Sequence, residues 1–237
     1  MGDLHSRWHN GNLLYYDTYE HRLLDAIGLD ITKVLLNPAY MPVDDTTGDL
    51  TGWTHTAVEA GASTSTAVLS DNTLLITTAG NEDDGVSLQV KGEAFDLASS
   101  NYTYFGIKLQ TSEATECDLL VGLCITDTTL TGGMTDGVYF ECLDGSTDIN
   151  FVLEKDSTET TSASAVGTLA DATDVTLEFV FDGTNVDCWV NGTLKTRLAT
   201  TNLPDDEQLT PSIEYLNGSA AADTCTVKWM RAIQVNA

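Results

Sequence analysis

Apolar and polar residues alternate along most of the chain after residue 50, which is the pattern of half-buried β-strands. Between Val175 and Phe181 apolar side chains fall at every second position, with Thr176 and Glu178 on the opposite face. The same period of two runs through 186–190 and 225–235, although Arg231 interrupts the second series. The pattern also covers 73–78, 86–91, 102–109, 118–125, 137–143, 149–155 and 211–216. Because no long stretch after residue 50 has helical spacing, the sequence predicts an all-β, antiparallel sandwich.

The first 41 residues have a different pattern. Leu13 to Tyr16 form an apolar run that is typical of a short strand. Residues 20–36 are compatible with a short helix in which Leu23, Leu24 and Ile27 share a face, although the glycine that follows weakens it. Prolines and acidic turn formers between Asn37 and Asp45 then stop regular structure. The predicted organisation is an N-terminal arm at 1–41, a linker at 42–49 and one β-sandwich domain at 50–237.

Composition narrows the possible partners. The 237 residues include 36 acidic and only 10 basic side chains, a net charge of −26, of which −2 lies on residues 1–41 and −24 on residues 42–237. A surface this acidic repels phosphate backbones and anionic lipids, so we expect neither a nucleic-acid nor a membrane partner. Charged residues make up only 19% and hydrophobic residues 42%, which excludes a disordered acidic tail. Thirty-five threonines and 19 glycines favour strands and turns.

The motifs of common cofactor and metal sites are missing from the sequence. There is no phosphate-binding glycine loop, no dinucleotide fingerprint and no CxxC pair. The odd number of cysteines, each inside a strand-like stretch, predicts buried reduced thiols. Acidic clusters at 44–45, 82–84 and 205–207 could bind Ca²⁺, but the favoured interpretation is solvated turns. We therefore predict no catalytic residue, no metal site and no cofactor.

Two features keep carbohydrate chemistry open as an alternative. Glu154, Asp156 and Glu159 have the spacing of the catalytic strand of concanavalin A-like β-glucanases, which work with a pair of carboxylates. The residues between them are polar here, and Glu159 is out of phase with the other two along a strand, so we expect a hairpin. Trp189 is out of phase with its inward-facing neighbours. It is therefore either an exposed platform for a sugar or covered by a further layer.

The strands and turns in the second half of the domain follow a pattern seen in known proteins. The strand at 175–181, the Asp182-Gly183 turn, the strand at 186–190, the Asn191-Gly192 turn and the closing strand at 229–235 resemble concanavalin A-like and laminin-G-like jelly rolls. The arm from Arg7 to Asp17 resembles the opening of structural proteins encoded beside the capsid genes of tailed phages. Arm and jelly roll together are similar to phage capsid decoration (cement) proteins.

This resemblance implies a non-enzymatic virion protein, made in the host cytoplasm, that binds the major capsid protein on the outer capsid surface, often as a trimer, and stabilises the head. Because aromatic residues and arginine are enriched in interface cores, we predict that the attachment residues lie in the arm. They are Arg7, Trp8, His9, Leu14, Tyr15, Tyr16, Tyr19 and Arg22. The alternatives are a carbohydrate-binding module on a virion or cell surface, a glycan-cleaving enzyme, and an arm that folds back as an edge of the sandwich.

Overall fold

The computed structural model describes residues 4–17, 21–39, 41–44, 49–59 and 65–236, and every regular element within these ranges is a β-strand. The strands are β1 (His5–His9), β2 (Asn12–Tyr16), β3 (Leu23–Ile27), β4 (Ile31–Leu36), β5 (Trp53–Val58), β6 (Thr66–Ser70), β7 (Thr73–Thr77), β8 (Gly85–Val90), β9 (Phe95–Asp96), β10 (Tyr102–Thr111), β11 (Cys117–Cys124), β12 (Gly137–Cys142), β13 (Asp148–Lys155), β14 (Thr158–Thr168), β15 (Val175–Phe181), β16 (Asn185–Val190), β17 (Thr193–Ala199), β18 (Gln208–Asn217) and β19 (Thr224–Val235). Among the described residues, no helix is long and apolar enough to cross a membrane.

Two eight-stranded antiparallel sheets form the body. Sheet I has the order β17-β16-β15-β10-β19-β7-β6, with β4 also paired to β19. Sheet II has the order β14-β13-β12-β11-β18-β8-β5, with β9 also paired to β18. In each sheet, strands that are hydrogen-bonded neighbours are often far apart in the chain, as β10 and β19 are in sheet I. The prediction of an all-β antiparallel sandwich is confirmed.

The core lies between sheets I and II and follows from the alternation along each strand. Phe105 and Phe179 of sheet I stack with ring centroids 5.4 Å apart. Phe140 and Phe151 of sheet II lie 4.8 Å apart, and the ring of Phe151 is 5.7 Å from that of Phe179. All four rings are buried, so contacts between aromatic side chains join the two sheets at the centre of the molecule.

The helix considered for residues 20–36 is wrong, because this segment forms β3, a turn and β4. β3 pairs with β2, whereas β4 pairs with residues 230–235 of β19 and so lies within sheet I. Gly28 in the turn leaves the space that the buried Asn12 side chain fills, since a Cβ atom at residue 28 would collide with it. Residues 31–36, which the sequence analysis places in the arm, are therefore hydrogen-bonded into the sandwich.

All five cysteines are unpaired and buried, as the sequence predicts. Burial raises the pKa of the Cys142, Cys188 and Cys225 thiols to about 12, so the reactive thiolate form is scarce. We expect no cysteine of the native protein to react with a thiol-specific disulfide reagent at mildly alkaline pH, and all five to react in denaturant. A spectrophotometric thiol assay measures both counts. One rapidly reacting thiol in the native protein would contradict the buried arrangement.

Candidate functional site

β1, β2 and β3 form a separate three-stranded sheet, called here the N-terminal sheet. On its side away from the body, Trp8 pairs with Leu13 and Leu13 pairs with Ile27, so three apolar side chains form a row across the strands. Trp8 is 73% exposed and Ile27 is 56% exposed. Half-buried Tyr15 lies two residues along β2 on the same side. Trp8, Leu13, Tyr15 and Ile27 together are called the apolar outer face.

Further apolar groups border this face. Leu29, in the turn between β3 and β4, is 100% exposed, and Leu4, immediately before β1, is exposed as well. Leu29 and Trp8 are the two most exposed large apolar side chains in the described part of the chain. An apolar patch such as the row of Trp8, Leu13 and Ile27 marks an interaction site more often than scattered single residues do.

The opposite side of the N-terminal sheet packs on sheet I. Its apolar side chains form a cluster with outward-facing side chains of β10, β15, β16 and β19; the members are Leu14, Tyr16, Leu23, Ala26, Tyr104, Val180, Trp189, Ile233 and Val235. Trp189 is consequently only 8% exposed, and the ring of His21 stacks on it with centroids 4.9 Å apart. Of the two interpretations of Trp189, the structure shows the covering layer.

A buried ion pair joins the N-terminal sheet to the body. The Glu178 carboxylate of β15 is fully buried, and Arg22 donates to both of its oxygens, with Nη2 at 2.8 Å from Oε2. The Tyr104 hydroxyl donates to Oε1 at 2.7 Å. The hydrogen bonds from Arg22 to Glu178 raise the pKa of the guanidinium, and burial, with the carboxylate nearby, raises the pKa of Tyr104. A protonated Tyr104 and a charged Arg22 therefore hold this carboxylate.

Gly106 makes room for this arrangement. It lies opposite Glu178 in the pairing of β10 with β15, and a Cβ atom at this position would collide with the Tyr104 hydroxyl group. A glycine in the middle of a strand is otherwise unfavourable. Its presence here follows from the close packing of Tyr104 against Glu178.

A cavity of about 320 Å³ opens at the seam between the N-terminal sheet and sheet I, and it is called the seam cavity. Its lining residues are Arg7, His21, Tyr102, Val180, Asp182, Asp187, Trp189, Leu194 and Arg197. Arg197 donates through Nε and Nη2 to the two oxygens of Asp187, at 2.6 and 2.5 Å. The cavity thus combines apolar walls with a bidentate ion pair at its side.

The outer face of sheet II is covered by a loop. Residues 125–136, between β11 and β12, place Leu130 and Met134 against Leu120, Tyr139 and Val152 of the sheet. The buried carboxylate of Glu214 accepts hydrogen bonds from the backbone N–H groups of residues 130 and 131, at 3.3 and 2.7 Å. This side of the sandwich therefore presents a packed loop rather than an open strand surface.

The carboxylates with glucanase-like spacing are separated by a turn. Asp156 and Ser157 have positive φ angles of 52° and 59° and connect β13 to β14. Glu154 and Glu159 consequently lie opposite each other on two strands, and Asp156 belongs to neither. Glu154 is buried and accepts a hydrogen bond from the Tyr139 hydroxyl at 2.9 Å, and burial raises its pKa. The hairpin predicted from the polar residues is present, without the single strand that the motif occupies in the enzymes.

The acidic clusters do not assemble a metal site in the described ranges, where no group of three or more His, Cys, Asp or Glu side chains is placed to hold a metal ion. Asp205 and Asp206 instead pair with Lys155, at 2.6 and 2.8 Å. Asp45 of the first cluster lies outside the described residues. The carboxylates at 205 and 206 thus have a neighbouring cation from the protein itself.

The eight predicted attachment residues fall into separate groups. Trp8 and Tyr15 point outward, and Arg7 and His9 lie on the other side of the edge strand β1. Leu14 and Tyr16 are buried against sheet I, and the partly exposed Arg22 is bound to Glu178. Tyr19 lies outside the described residues.

Leu13 and Ile27 of the apolar outer face are not among the predicted attachment residues. The available signal was the alternation within 13–16, which puts Leu13 and Tyr15 on one side of β2 and Leu14 and Tyr16 on the other. The position of Ile27 beside Leu13 required the register between β2 and β3. Along β2, residues that face outward therefore alternate with residues that pack on sheet I.

Comparisons with known proteins give the fold. No protein-family model matches the sequence, and no curated protein sequence matches it. Among solved structures, the carbohydrate recognition domain of Emp46p superposes with a TM-score of 0.58 at 14% identity, covering 81% of this chain and 93% of that one. The endo-1,3-β-glucanase of Streptomyces sioyaensis gives 0.61 at 9% identity, covering 90% and 99%. A protein of unknown function from Shewanella oneidensis MR-1 gives 0.59 at 10% identity, covering 90% of each chain.

These similarities support the resemblance to jelly-roll domains. They give no support to the resemblance to phage capsid proteins. The identities are low, so the similarities establish architecture rather than activity. The superpositions on the Emp46p domain and on the glucanase cover 81% and 90% of this chain. The protein has the concanavalin A-like jelly-roll fold.

Proposed function

We propose that this protein is a non-enzymatic structural component of a virion that attaches to the outer surface of the capsid through the apolar outer face of its N-terminal sheet. The observation that carries the proposal is the outward-facing row of exposed Trp8, half-buried Leu13 and exposed Ile27. Aromatic and aliphatic anchors on a fixed β-sheet are the usual centre of a protein interface. The partner is the major capsid protein, and a trimer fits the decoration proteins that the sequence resembles.

The charge distribution supports the same orientation. Residues 42–237 have a net charge of −24, whereas residues 1–41 have −2. A strongly acidic body stays soluble at high local concentration and repels DNA and membrane lipids. The nearly neutral segment that contains the apolar outer face can approach another protein without that repulsion. We therefore place the N-terminal sheet against the shell and the body outward.

The experiment is co-sedimentation of the purified protein with undecorated capsids of tailed phages. Trp8→Ser combined with Ile27→Ser should weaken binding at least about 30-fold, since interface anchors of this type contribute about 2 kcal/mol or more. Both side chains are exposed, so the fold should be unaffected. Leu143→Ser is the matched control, because Leu143 is an exposed leucine just after β12 of sheet II.

The control variant Leu143→Ser should bind capsids as the wild type does. Absence of wild-type binding to such capsids would overturn the virion proposal. Full binding by the double variant would overturn the role of the apolar outer face while leaving the virion proposal in place.

A second candidate is recognition of glycans on a virion or cell surface. Solved structures with this fold include the carbohydrate recognition domain of Emp46p and an endo-1,3-β-glucanase, which favours carbohydrate as the ligand class. The turn between Glu154 and Glu159 supports binding without cleavage. A glycan array probed with the intact protein tests this candidate, and an array without signal would remove it.

A further inference from the structure

β1 is an edge strand of the N-terminal sheet, and no strand of the described ranges pairs with its outer edge. Residues 5–8 are exposed on both sides of the strand, whereas Leu14 and Tyr16, their neighbours on β2, are buried. The body therefore does not cover β1. The pairing of β1 with β2 has no bulge, and the strand contains neither lysine nor proline, which are the usual features that block an edge.

The turn after β1 determines which backbone groups the strand presents. Asn10 and Gly11 have φ angles of 47° and 80°, as in the tight two-residue turn of a β-hairpin, so the pair of His9 with Asn12 is hydrogen-bonded. Hydrogen-bonded and non-hydrogen-bonded pairs alternate along an antiparallel ladder, and residues 5, 7 and 9 therefore direct their backbone groups to β2. The N–H and C=O groups of residues 4, 6 and 8 point to the free edge.

These three residues are complementary to themselves in antiparallel order. With residue 6 on a two-fold axis, Ser6 lies opposite Ser6 and Leu4 lies opposite Trp8 of the second copy. Leu4 is 63% exposed and, by alternation, is on the same side of the strand as Trp8. The row of Ile27, Leu13 and Trp8 then continues to Leu4 of the second copy. An axis at residue 7 would oppose two arginines, and an axis at residue 8 would leave Leu4 without a partner.

The charge of the chain also favours this edge as the contact between copies. A net charge of −26 makes two copies repel each other over most of their surface. Residues 1–41 contribute only −2 of this charge, and β1 contains Arg7 and no acidic residue. Two acidic bodies can therefore approach most closely at β1. A second copy also brings an identical unpaired strand, so it fits this edge in both charge and pattern.

We propose that two copies of this chain form a two-fold dimer through β1, with the two strands antiparallel and Ser6 of each copy at the axis. The two N-terminal sheets then form one six-stranded sheet, in which residues 4, 6 and 8 of both copies make backbone hydrogen bonds. Trp8 of each copy packs on Leu4 of the other. The outer side of this sheet stays open, so the dimer is compatible with capsid attachment. It differs from the trimer that the resemblance implies.

Sedimentation equilibrium of the intact protein measures this association. Because a short strand pair buries less area than a standard interface, we expect a monomer–dimer equilibrium with a Kd of about 10–100 μM. Ser6→Pro removes an N–H group that points to the free edge and keeps the hydrogen bonds between β1 and β2, so it should weaken dimerisation at least about tenfold. Ser6→Thr keeps this N–H group and is the matched control, which should dimerise as the wild type does. Thermal unfolding of each variant verifies that the fold is intact.

Disulfide cross-linking tests the register. The Cα atoms of a hydrogen-bonded antiparallel pair are about 5.5 Å apart, a distance that a disulfide spans. Ser6→Cys should therefore give a covalent dimer with diamide, which takes up the two thiol hydrogens, while the five buried native cysteines should not react. Leu143→Cys, at an exposed position after β12, is the control and should remain monomeric.

Four results would overturn the proposal. They are a wild-type protein that stays monomeric at about 500 μM, well above the Kd expected for a small interface, a protein that forms trimers, a Ser6→Pro variant that dimerises like Ser6→Thr, and a Ser6→Cys variant that cross-links no faster than Leu143→Cys. The last result would show that the covalent dimer arises from random collisions and not from pairing of β1.

Discussion

Replacing Arg22 by alanine should lower the free energy of unfolding by about 3–5 kcal/mol, since it leaves a buried carboxylate without its cationic partner. Glu178 is fully buried between sheet I and the N-terminal sheet, and Arg22 supplies two of the hydrogen bonds to it. The Tyr104 hydroxyl alone does not balance the charge. Urea unfolding followed by tryptophan fluorescence measures the change, with Trp189 as a reporter in the affected interface.

A double substitution distinguishes this mechanism from general damage to the fold. Arg22→Met with Glu178→Leu removes both charges and keeps apolar volume, so most of the lost stability should return. Lys155→Ala is the control, because its ion pairs with Asp205 and Asp206 are at the surface and should contribute little. A loss for Arg22→Ala no larger than that for Lys155→Ala would show that the buried pair does not hold the N-terminal sheet.

This ion pair matters for both proposed interfaces. A sheet fixed to the body presents Trp8 and Ile27 in one orientation, so less conformational entropy is lost when a partner binds. The same anchoring holds β1, since β1 belongs to the sheet that Arg22 joins to the body. A deletion of residues 1–41 would be a poorer test, because it removes β4, which is hydrogen-bonded to β19 of sheet I.

The period of two was sufficient to predict the sandwich because the core-facing positions of the strands are apolar and fall at every second residue, as between Val175 and Phe181. The helix considered at 20–36 is wrong because the hydrogen-bonding partners of this segment cannot be read from its own sequence. Leu23, Leu24 and Ile27 fit helical spacing in sequence, but the hydrogen-bonding partners of this segment are β2 on one side of the turn and β19 on the other. Residue 31 pairs with residue 235, so the decisive contact is separated by almost the whole chain. A short local pattern carries no information about such a partner.

The candidate sites were predictable to different degrees. Trp8 was predicted as an attachment residue because it is an aromatic residue in a nearly neutral segment of an acidic chain, and its attachment role stays a prediction. The burial of Glu178 could not be predicted, because a glutamate on the polar side of an alternating strand indicates solvent exposure. Its burial depends on Arg22, 156 residues away, and on a whole sheet that folds over it. The seam cavity likewise arises only from that packing.

The loop over sheet II leads to the second large effect. Glu214 is 1% exposed and accepts the backbone N–H groups of Leu130 and Thr131. Glu214→Ala leaves both donors without their acceptor, and hydrogen bonds to a charged group contribute about 1.5–3 kcal/mol each, so we expect a loss of about 3 kcal/mol. The loop should also detach and expose Leu120 and Val152, which lie beneath it.

Urea unfolding measures the stability of Glu214→Ala, and binding of a hydrophobic dye together with limited proteolysis of residues 125–136 measures release of the loop. Glu93→Ala is the matched control, because the Glu93 carboxylate accepts the N–H of Thr126 at 2.7 Å in the same loop but at an exposed position. The control should lose little stability and should not bind dye, since water replaces an exposed acceptor. If Glu214→Ala resists protease and excludes dye as the wild type does, Glu214 does not hold the loop. The apolar contacts of Leu130 and Met134 would then be sufficient to keep this face of sheet II covered.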